Sequence, residues 1–431
     1  MTDRETAGYA LAALLNEGAE KAQAVLVKTR KYELNVEAGE LSLLRTTHNS
    51  SLHYTALRDL RRGRVSRNKT DRQDIDEAAG SAIEIMNASE QDPAYALAER
   101  QEPEVFESGP REPDLDGMYD RLKEFVGAVK AGYPSTILEQ GILDFTFRNS
   151  LFLNSNGVDF ETNHGAYNCG AMFTTREGRK TSSFNYSGFS TKDLEKEIIE
   201  CGSLRTLLAQ SSEQTDLRAI GGKFTGEVIV TPDCLADFVG YFTGTFLSDQ
   251  ALISGTSILK DKLGGQVAHE NLTLHSRPRS RELAENYFVT GDGYRAEDST
   301  IVDRGVLKTF LLSLYGARKT GRDRAVNNGG AFIVEPGERS FEEITGSVKR
   351  GLLLCRFSGG SPADNGDFSG VAKNSYSIEN GKILHPVSET MISGNLLSFF
   401  KSIRAVSRER INFGSAIYPW VCVSDLTISG K

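Results

Sequence analysis

Two stretches of this 431-residue chain alternate apolar and polar residues between glycine-containing turns, and they do so in the same order. "YELNVEAGELSLL…RRGRVSRNKTDRQDIDEA" and "LFLNSNGVDFETN…REGRKTSSFNYSGFSTKDLEKE" each read strand, glycine turn, strand, strand, Arg-x-Gly-Arg turn, strand, capped helix. A period of two sends successive side chains to opposite faces, so each stretch must lay one face on a core and leave the other open. The stretches lie about 115–120 residues apart. That spacing is too long for a solenoid and suits a weak internal duplication into two sheet-plus-helix halves.

Helical periodicity supplies the covering layer. A first helix is predicted at about residues 4–19, and a second after Thr70 or Asp71, with Ile75, Ala79, Ala82, Ile83 and Met86 on one apolar stripe. A third spans about 114–131, and "STKDLEKEIIECGSLRTLLAQ" reads as one capped helix. The proline- and acid-rich segment 90–117 is a surface connection between the halves. From about 222 the texture changes to short strands punctuated by glycine, with hairpin signals at Asp303-Arg304-Gly305 and Glu379-Asn380-Gly381-Lys382. The expectation is an α+β chain. An N-terminal domain, 1–221, has antiparallel sheet or sheets with packed helices, and a C-terminal β-rich domain, 222–431, has a mixed or barrel-like sheet.

Several function classes are excluded or demoted. No run of eighteen apolar residues occurs and acids interrupt the apolar N-terminal stretch, so no membrane partner is expected and the chain is placed in the cytoplasm. A formal net charge of −8 disfavours nucleic acid, for which phosphate affinity needs surplus Lys and Arg. The basic cluster "LRDLRRGRVSRNK", holding Arg61, Arg62 and Arg64, reads as a hairpin with its turn at Arg62-Gly63 and a charged, protected edge. Cys169, Cys201, Cys234, Cys355 and Cys422 are scattered and odd in number, which fits neither a disulfide framework nor a CxxC clip. Cys234, at the start of a helix in "TPDCLADF", has no histidine near it in sequence and is expected to be a core residue.

The segment "VAHENLTLH" pairs His269 and Glu270 with a second histidine, His275. In the HExxH motif a helix brings residues four apart onto one face, so that both rings reach one zinc. Six residues apart, the rings diverge by about 120° on a helix, and on a strand they sit roughly 20 Å apart. Neither geometry chelates, and the alternation of Asn271-Leu272-Thr273-Leu274 predicts a plain strand with exposed histidines.

Five blocks in order, "GTSILKDKLGGQVA", "DRGVLKTFLLSLYGARKTG", "VKRGLLL", "YSIENGKILHPVSETMISGNLLSFFKSIRAV" and the terminal "DLTISGK", resemble the TldD/PmbA family, once called modulators of DNA gyrase. The resemblance covers most of 220–431, and the preceding order of strands and helices fits the family's N-terminal domain. It implies two branches that pair as a heterodimeric peptidase. The TldD branch carries a HExxxH zinc helix shortly before the block that here begins Gly255-Thr256-Ser257, and a further Cys ligand near the C-terminus. At the matching positions this sequence has Gly240 and Thr245 for the histidines and Tyr241 for the glutamate, and "INFGSAIYPWVCVSD" lacks the family's Cys-Gly segment, so Cys422 is not carried over as a ligand. The chain therefore resembles the PmbA (TldE) branch.

That resemblance implies a subunit without catalytic residues or metal of its own. Zinc would belong to a TldD-type partner, the substrate would be an unfolded or leader-bearing peptide, and a homodimer is possible where the partner is missing. The expected peptide-binding element is the loop "FSGGSPADNGDFSG", where Gly359 and Gly360 would let backbone approach and Asp364, Asp367 and Ser369 would orient it. A glycine-rich turn that merely joins strands has the same signature. In "SETMISGNLLSFFKSI", Asn395 is expected to cap a core helix carrying Leu396, Phe399, Phe400 and Ile403. Two other classes stay open: a stand-alone hydrolase using Cys234 or His269 with Glu270, and a DNA-associated regulator using the basic hairpin.

Overall fold

The computed structural model describes residues 1–388 and 390–430. Its N-terminal sheet is built from β1 (Lys21–Glu37), β2 (Glu40–Arg58), β3 (Arg61–Arg67), β4 (Glu104–Ser108), β5 (Thr136–Asn154), β6 (Asp159–Glu177), β7 (Lys180–Thr181) and β8 (Asn185–Thr191). The path runs β3-β2-β1-β5-β6-β4, with β7 and β8 also paired to β6. Antiparallel β1 and β5 meet at the centre, Val25 opposite Phe152. Four helices cover one face: α1 (Asp3–Asn16), α2 (Arg72–Ala88), α3 (Leu115–Gly132) and α4 (Leu204–Glu213). The element order is thus α1-β1-β2-β3-α2 followed by α3-β5-β6-β8-α4, with β4 between the two runs.

The alternation explains which face the helices take. Ala22, Ala24, Leu26, Leu52, Tyr54 and Ala56 point to α1 and α2, where Ile75, Ala79, Ala82, Ile83 and Met86 meet them. Farther along the same face, Leu34, Val36, Leu143, Phe145 and Tyr167 pack under α3 and α4. Asp71 caps α2 by accepting from the Asp74 N–H, and Thr2 and Glu5 form a capping box at α1.

The second sheet is mixed, and its spine is the Ile417–Ser429 strand, flanked by Lys223–Val230, Met391–Asn395 and Ile403–Asn412. Val228, Val230, Val421 and Val423 face one core with the helix α5 (Pro232–Leu247), while Ile229, Leu353, Cys355, Tyr376 and Cys422 face another on the opposite side. Both expected hairpins form, with positive φ at Arg304-Gly305 and at Asn380-Gly381. The class is α+β, as the sequence indicates.

Three local expectations are corrected. Residues 190–210 do not form one helix: Gly202 adopts φ +57°, a 3-10 turn at Ile198–Glu200 buries Ile198 and Ile199, and helix starts only at Leu204. The segment around His269 is strand only at Leu274–Ser276, and His275 is buried, because that strand is paired on both sides and the ring is satisfied by Thr300 Oγ1 at 2.9 Å and Glu335 Oε1 at 2.8 Å. The basic hairpin turns at Asp59-Leu60, both with positive φ, which leaves Gly63 inside β3. There Gly63 has a packing role: a Cβ would lie 1.8 Å from the Ala82 carbonyl oxygen, so α2 rests directly on the strand. Gly63→Ala should push α2 off β3 and destabilise the chain by about 1–3 kcal/mol in equilibrium denaturation, the usual cost of overpacking. An unchanged midpoint would mean that α2 does not pack this closely.

Candidate functional site

The helix α5 buries Cys234, Leu235, Phe238, Val239, Phe242 and Phe246 on one face. Phe238 stacks on Phe399 with ring centroids 4.5 Å apart and meets Phe357 at 5.5 Å and Phe368 at 5.3 Å. With these residues inward, Asp237, Gly240 and Gly244 stand on the exposed side of the helix, and Tyr241 and Thr245 lie at its borders. Gly240 is exposed, and Tyr241 and Thr245 are half-buried. They do not form a metal centre: zinc takes His, Cys or carboxylate ligands, whereas these positions offer no side chain, a phenol and an alcohol. Among the described residues, no group of three or more His, Cys, Asp and Glu side chains could hold a metal ion.

Beside this face runs the glycine-rich hairpin, strands Arg356–Gly359 and Asp367–Lys373. The Tyr241 ring meets Phe357 edge-on at 6.4 Å, so the hairpin and the outward face of α5 are contiguous. Gly359 has a local reason to be glycine, since a Cβ would stand 2.5 Å from the Phe357 ring and 2.7 Å from the Ser369 carbonyl oxygen. Gly360 has open space around it. The Asp367 carboxylate accepts from Asn395 Nδ2 at 2.9 Å and Asn365 Nδ2 at 2.8 Å, and those bonds lower its pKa. Asn395 Oδ1 in turn accepts from the Leu397 and Ser398 N–H groups and caps the Leu396–Lys401 helix. Asp367 thus positions the loop, while Asp364 and Ser369 remain exposed for contact.

The sequence reading missed the opposite flank. Asp233, in the first turn of α5, has a side chain only 8% exposed. Its Oδ1 accepts from Ser203 Oγ at 2.7 Å and Ser187 Oγ at 3.4 Å, and the Arg356 guanidinium lies 3.8 Å away. Arg356 also covers the Tyr186 ring at 3.8 Å. This cluster ties the N-terminal sheet to α5, and neither Asp233 nor Arg356 belongs to a local motif that could have revealed it. Burial raises the Asp233 pKa, and Arg356 and the two serines offset that only in part.

Other candidates are spoken for. Cys234 is fully buried and its thiol is pushed well above the ordinary range by burial, which removes it as a nucleophile. Cys422 points to the side of its sheet away from α5. His269 Nδ1 accepts from the Asn271 N–H at 3.1 Å, and Glu270 is exposed. Arg61 donates to the Ser89 carbonyl oxygen and Arg62 lies over the Tyr95 ring at 4.1 Å, so two of the three arginines proposed for DNA serve internal contacts.

The raised Asp233 pKa has a definite sign. Its folded form holds a proton more tightly than the unfolded chain, so its contribution to stability is complete below the ordinary Asp value near 3.9 and is lost as pH rises through the raised value. Relative to wild type, Asp233→Asn should gain stability as pH rises from about 4 to 7. Denaturation at several pH values checks this, and a difference independent of pH would show that Asp233 titrates normally.

Comparison with known proteins agrees with this architecture. The model of the PmbA/TldA metallopeptidase C-terminal domain matches residues 222–430. Metalloprotease PmbA of Escherichia coli O157:H7 is 26% identical over 95% of this chain and 92% of its own length. A metalloprotease of Methanothermobacter thermautotrophicus is 28% identical, but over only 45% of each chain. The crystal structure of TldE from Thermococcus kodakarensis superposes with a TM-score of 0.85 at 18% identity, covering 99% of this chain and all of the other. A Bacteroides thetaiotaomicron protein, crystallised as a candidate modulator of DNA gyrase, gives 0.89 at 21% identity over 100% and 99%. At such identities the structures establish a shared fold. Together with the family model and the near full-length sequence relative, they show that this chain belongs to the PmbA/TldD family.

Proposed function

We propose that this chain is a PmbA-type, TldE-like subunit of a two-component metallopeptidase: it helps bind and enclose unfolded or leader-bearing peptides, and a TldD-type partner carries the zinc. One observation carries the reading: α5 has Gly240 on its exposed side and Tyr241 and Thr245 at its half-buried borders, and none of the three can ligate zinc. The metal chemistry then belongs wholly to the partner, and no step is assigned to a metal on this chain. What this chain contributes is surface. The exposed tip of the glycine hairpin, with Gly360, Asp364 and Ser369 on a frame pinned by Asp367 and Asn395, suits an extended main chain, which strand-like recognition binds with tolerance for varied side chains. The pair would act in the cytoplasm, with a homodimer forming where the partner is lacking.

Purified chain should contain no stoichiometric zinc by elemental analysis and should not cleave an unfolded peptide alone. Adding a HExxxH partner should bring cleavage. Near-stoichiometric zinc in the isolated chain would sink the reading.

Rebuilding the ligands gives a second check. A Cβ at Gly240 meets nothing within 4 Å, so Gly240→His fits sterically, together with Tyr241→Glu and Thr245→His. The triple variant should bind zinc weakly at most and turn over no peptide, because the third ligand and the groups that orient imidazoles are missing. Tight binding with turnover by this variant alone would show that the rest of a metal site persists around α5.

A further inference from the structure

The N-terminal sheet leaves part of one edge open. β2 pairs with β1 along its whole length, from Leu57 opposite Lys21 to Glu40 opposite Glu37, but β3 covers its other side only from Leu52 to Arg58. Among the described residues no strand or loop backbone bonds to the outer side of 40–51. Nothing shields it either: Leu43 and Leu44 are 46% and 62% exposed, and the residues that follow are exposed or half-buried.

The two parts of this edge are built differently. β3 carries Arg61, Arg62, Arg64 and Arg67, the kind of charge that keeps an edge from pairing with another chain. The stretch 43–51, Leu-Leu-Arg-Thr-Thr-His-Asn-Ser-Ser, has no Pro, Gly or Lys. Its single arginine is drawn back onto its own sheet, Arg45 donating to Glu33 Oε1 at 2.6 Å. Its register with β1 is unbroken, because the one bulge lies just before it: Leu43 faces Asn35 and Leu41 faces Val36, with Ser42 left over. A regular, unguarded edge about 30 Å long therefore lies between the Ser42 bulge and the start of β3 at Leu52.

What covers such an edge must itself be an extended strand, and this stretch is its own complement. A twofold axis perpendicular to an antiparallel pair puts one residue opposite its own copy, and full overlap of 43–51 makes that residue Thr47. Arg45 then meets Asn49, His48 meets Thr46, and Leu43 and Leu44 meet Ser51 and Ser50, so no charge faces its like. Opposed threonines at the centre are a favoured cross-strand pair. We propose that 43–51 of β2 is a homodimerisation edge, on which a second copy of this chain pairs antiparallel about Thr47 and joins the two N-terminal sheets into one. This rests on the homodimer of the reading above and names the surface that makes it.

Sedimentation equilibrium of the full chain should show a reversible dimer in the micromolar range. Thr47→Lys sets two ammonium groups opposite one another and should weaken the dimer roughly tenfold or more. Leu60→Lys, at the exposed turn between β2 and β3, should leave it unchanged. Thr47→Cys keeps the test decisive should the lysine disturb folding. Four native cysteines are buried and Cys201 is half-buried, so Thr47→Cys treated with glutathione disulfide should give a disulfide-linked dimer faster than Leu60→Cys does. A chain that stays monomeric at every concentration overturns the proposal and the homodimer with it. A dimer indifferent to Thr47→Lys, or Thr47→Cys that links no faster than Leu60→Cys, overturns this surface alone and leaves the homodimer standing.

Discussion

The stacking of Phe238 on Phe399 orients everything around the candidate site. Phe238, Phe242 and Phe246 repeat every four residues along α5 and enter a pocket already lined by Phe357, Phe368, Phe399 and Phe400. Burying each ring is worth about 1.5–3 kcal/mol, and well-placed aromatic pairs add about 0.5–1.5 kcal/mol. Rotating the helix by one residue, about 100°, would bring these rings to the surface. The orientation of Gly240, Tyr241 and Thr245 is therefore fixed by this cluster, which Tyr241 itself borders through Phe238 and Phe357. The same cluster holds the glycine hairpin, because Phe357 and Phe368 come from its two strands.

What the sequence made legible was whatever depends on a single element. Period-two alternation identified the long strands, the Ile75 to Met86 stripe identified α2, and Arg304-Gly305 and Asn380-Gly381 marked hairpins, since each signal is a property of neighbouring residues. Errors arose where a distant segment decides. His275 is buried because strands from about residues 299 and 332 flank it, and "NLTLH" contains no trace of either. Gly63 resembles a turn glycine, yet the requirement comes from the Ala82 carbonyl on α2. Gly202 did stand in plain view within the predicted helix, and its left-handed conformation was the stop signal that the helical periodicity of the flanking residues obscured.

The candidate site divides along the same line. That Gly240, Tyr241 and Thr245 cannot ligate zinc follows from residue type alone. The roles of the glycine-loop residues do not. Asp367 and Gly359 look like ligand-facing residues in a string of letters, but one is bound to Asn395 and the other makes room for Phe357. Asp233, Ser187, Ser203 and Arg356 come from segments far apart in the chain, so their meeting is a tertiary fact.

The two sides of α5 are held to different constraints. The exposed positions of α5, Asp237, Gly240 and Gly244, contribute little to packing, because the helix is held from its other side by the aromatic cluster. Substitution at exposed positions leaves no buried cavity and strands no buried charge, the two changes that make substitutions severely destabilising. The Phe238 face has no such freedom, since trimming one ring costs several kcal/mol. Selection for folding therefore acts on one side of α5, while the chemistry of the other side can change independently. For that reason a shared fold does not fix a role, and the role proposed for this chain rests on the residue types along a single helix.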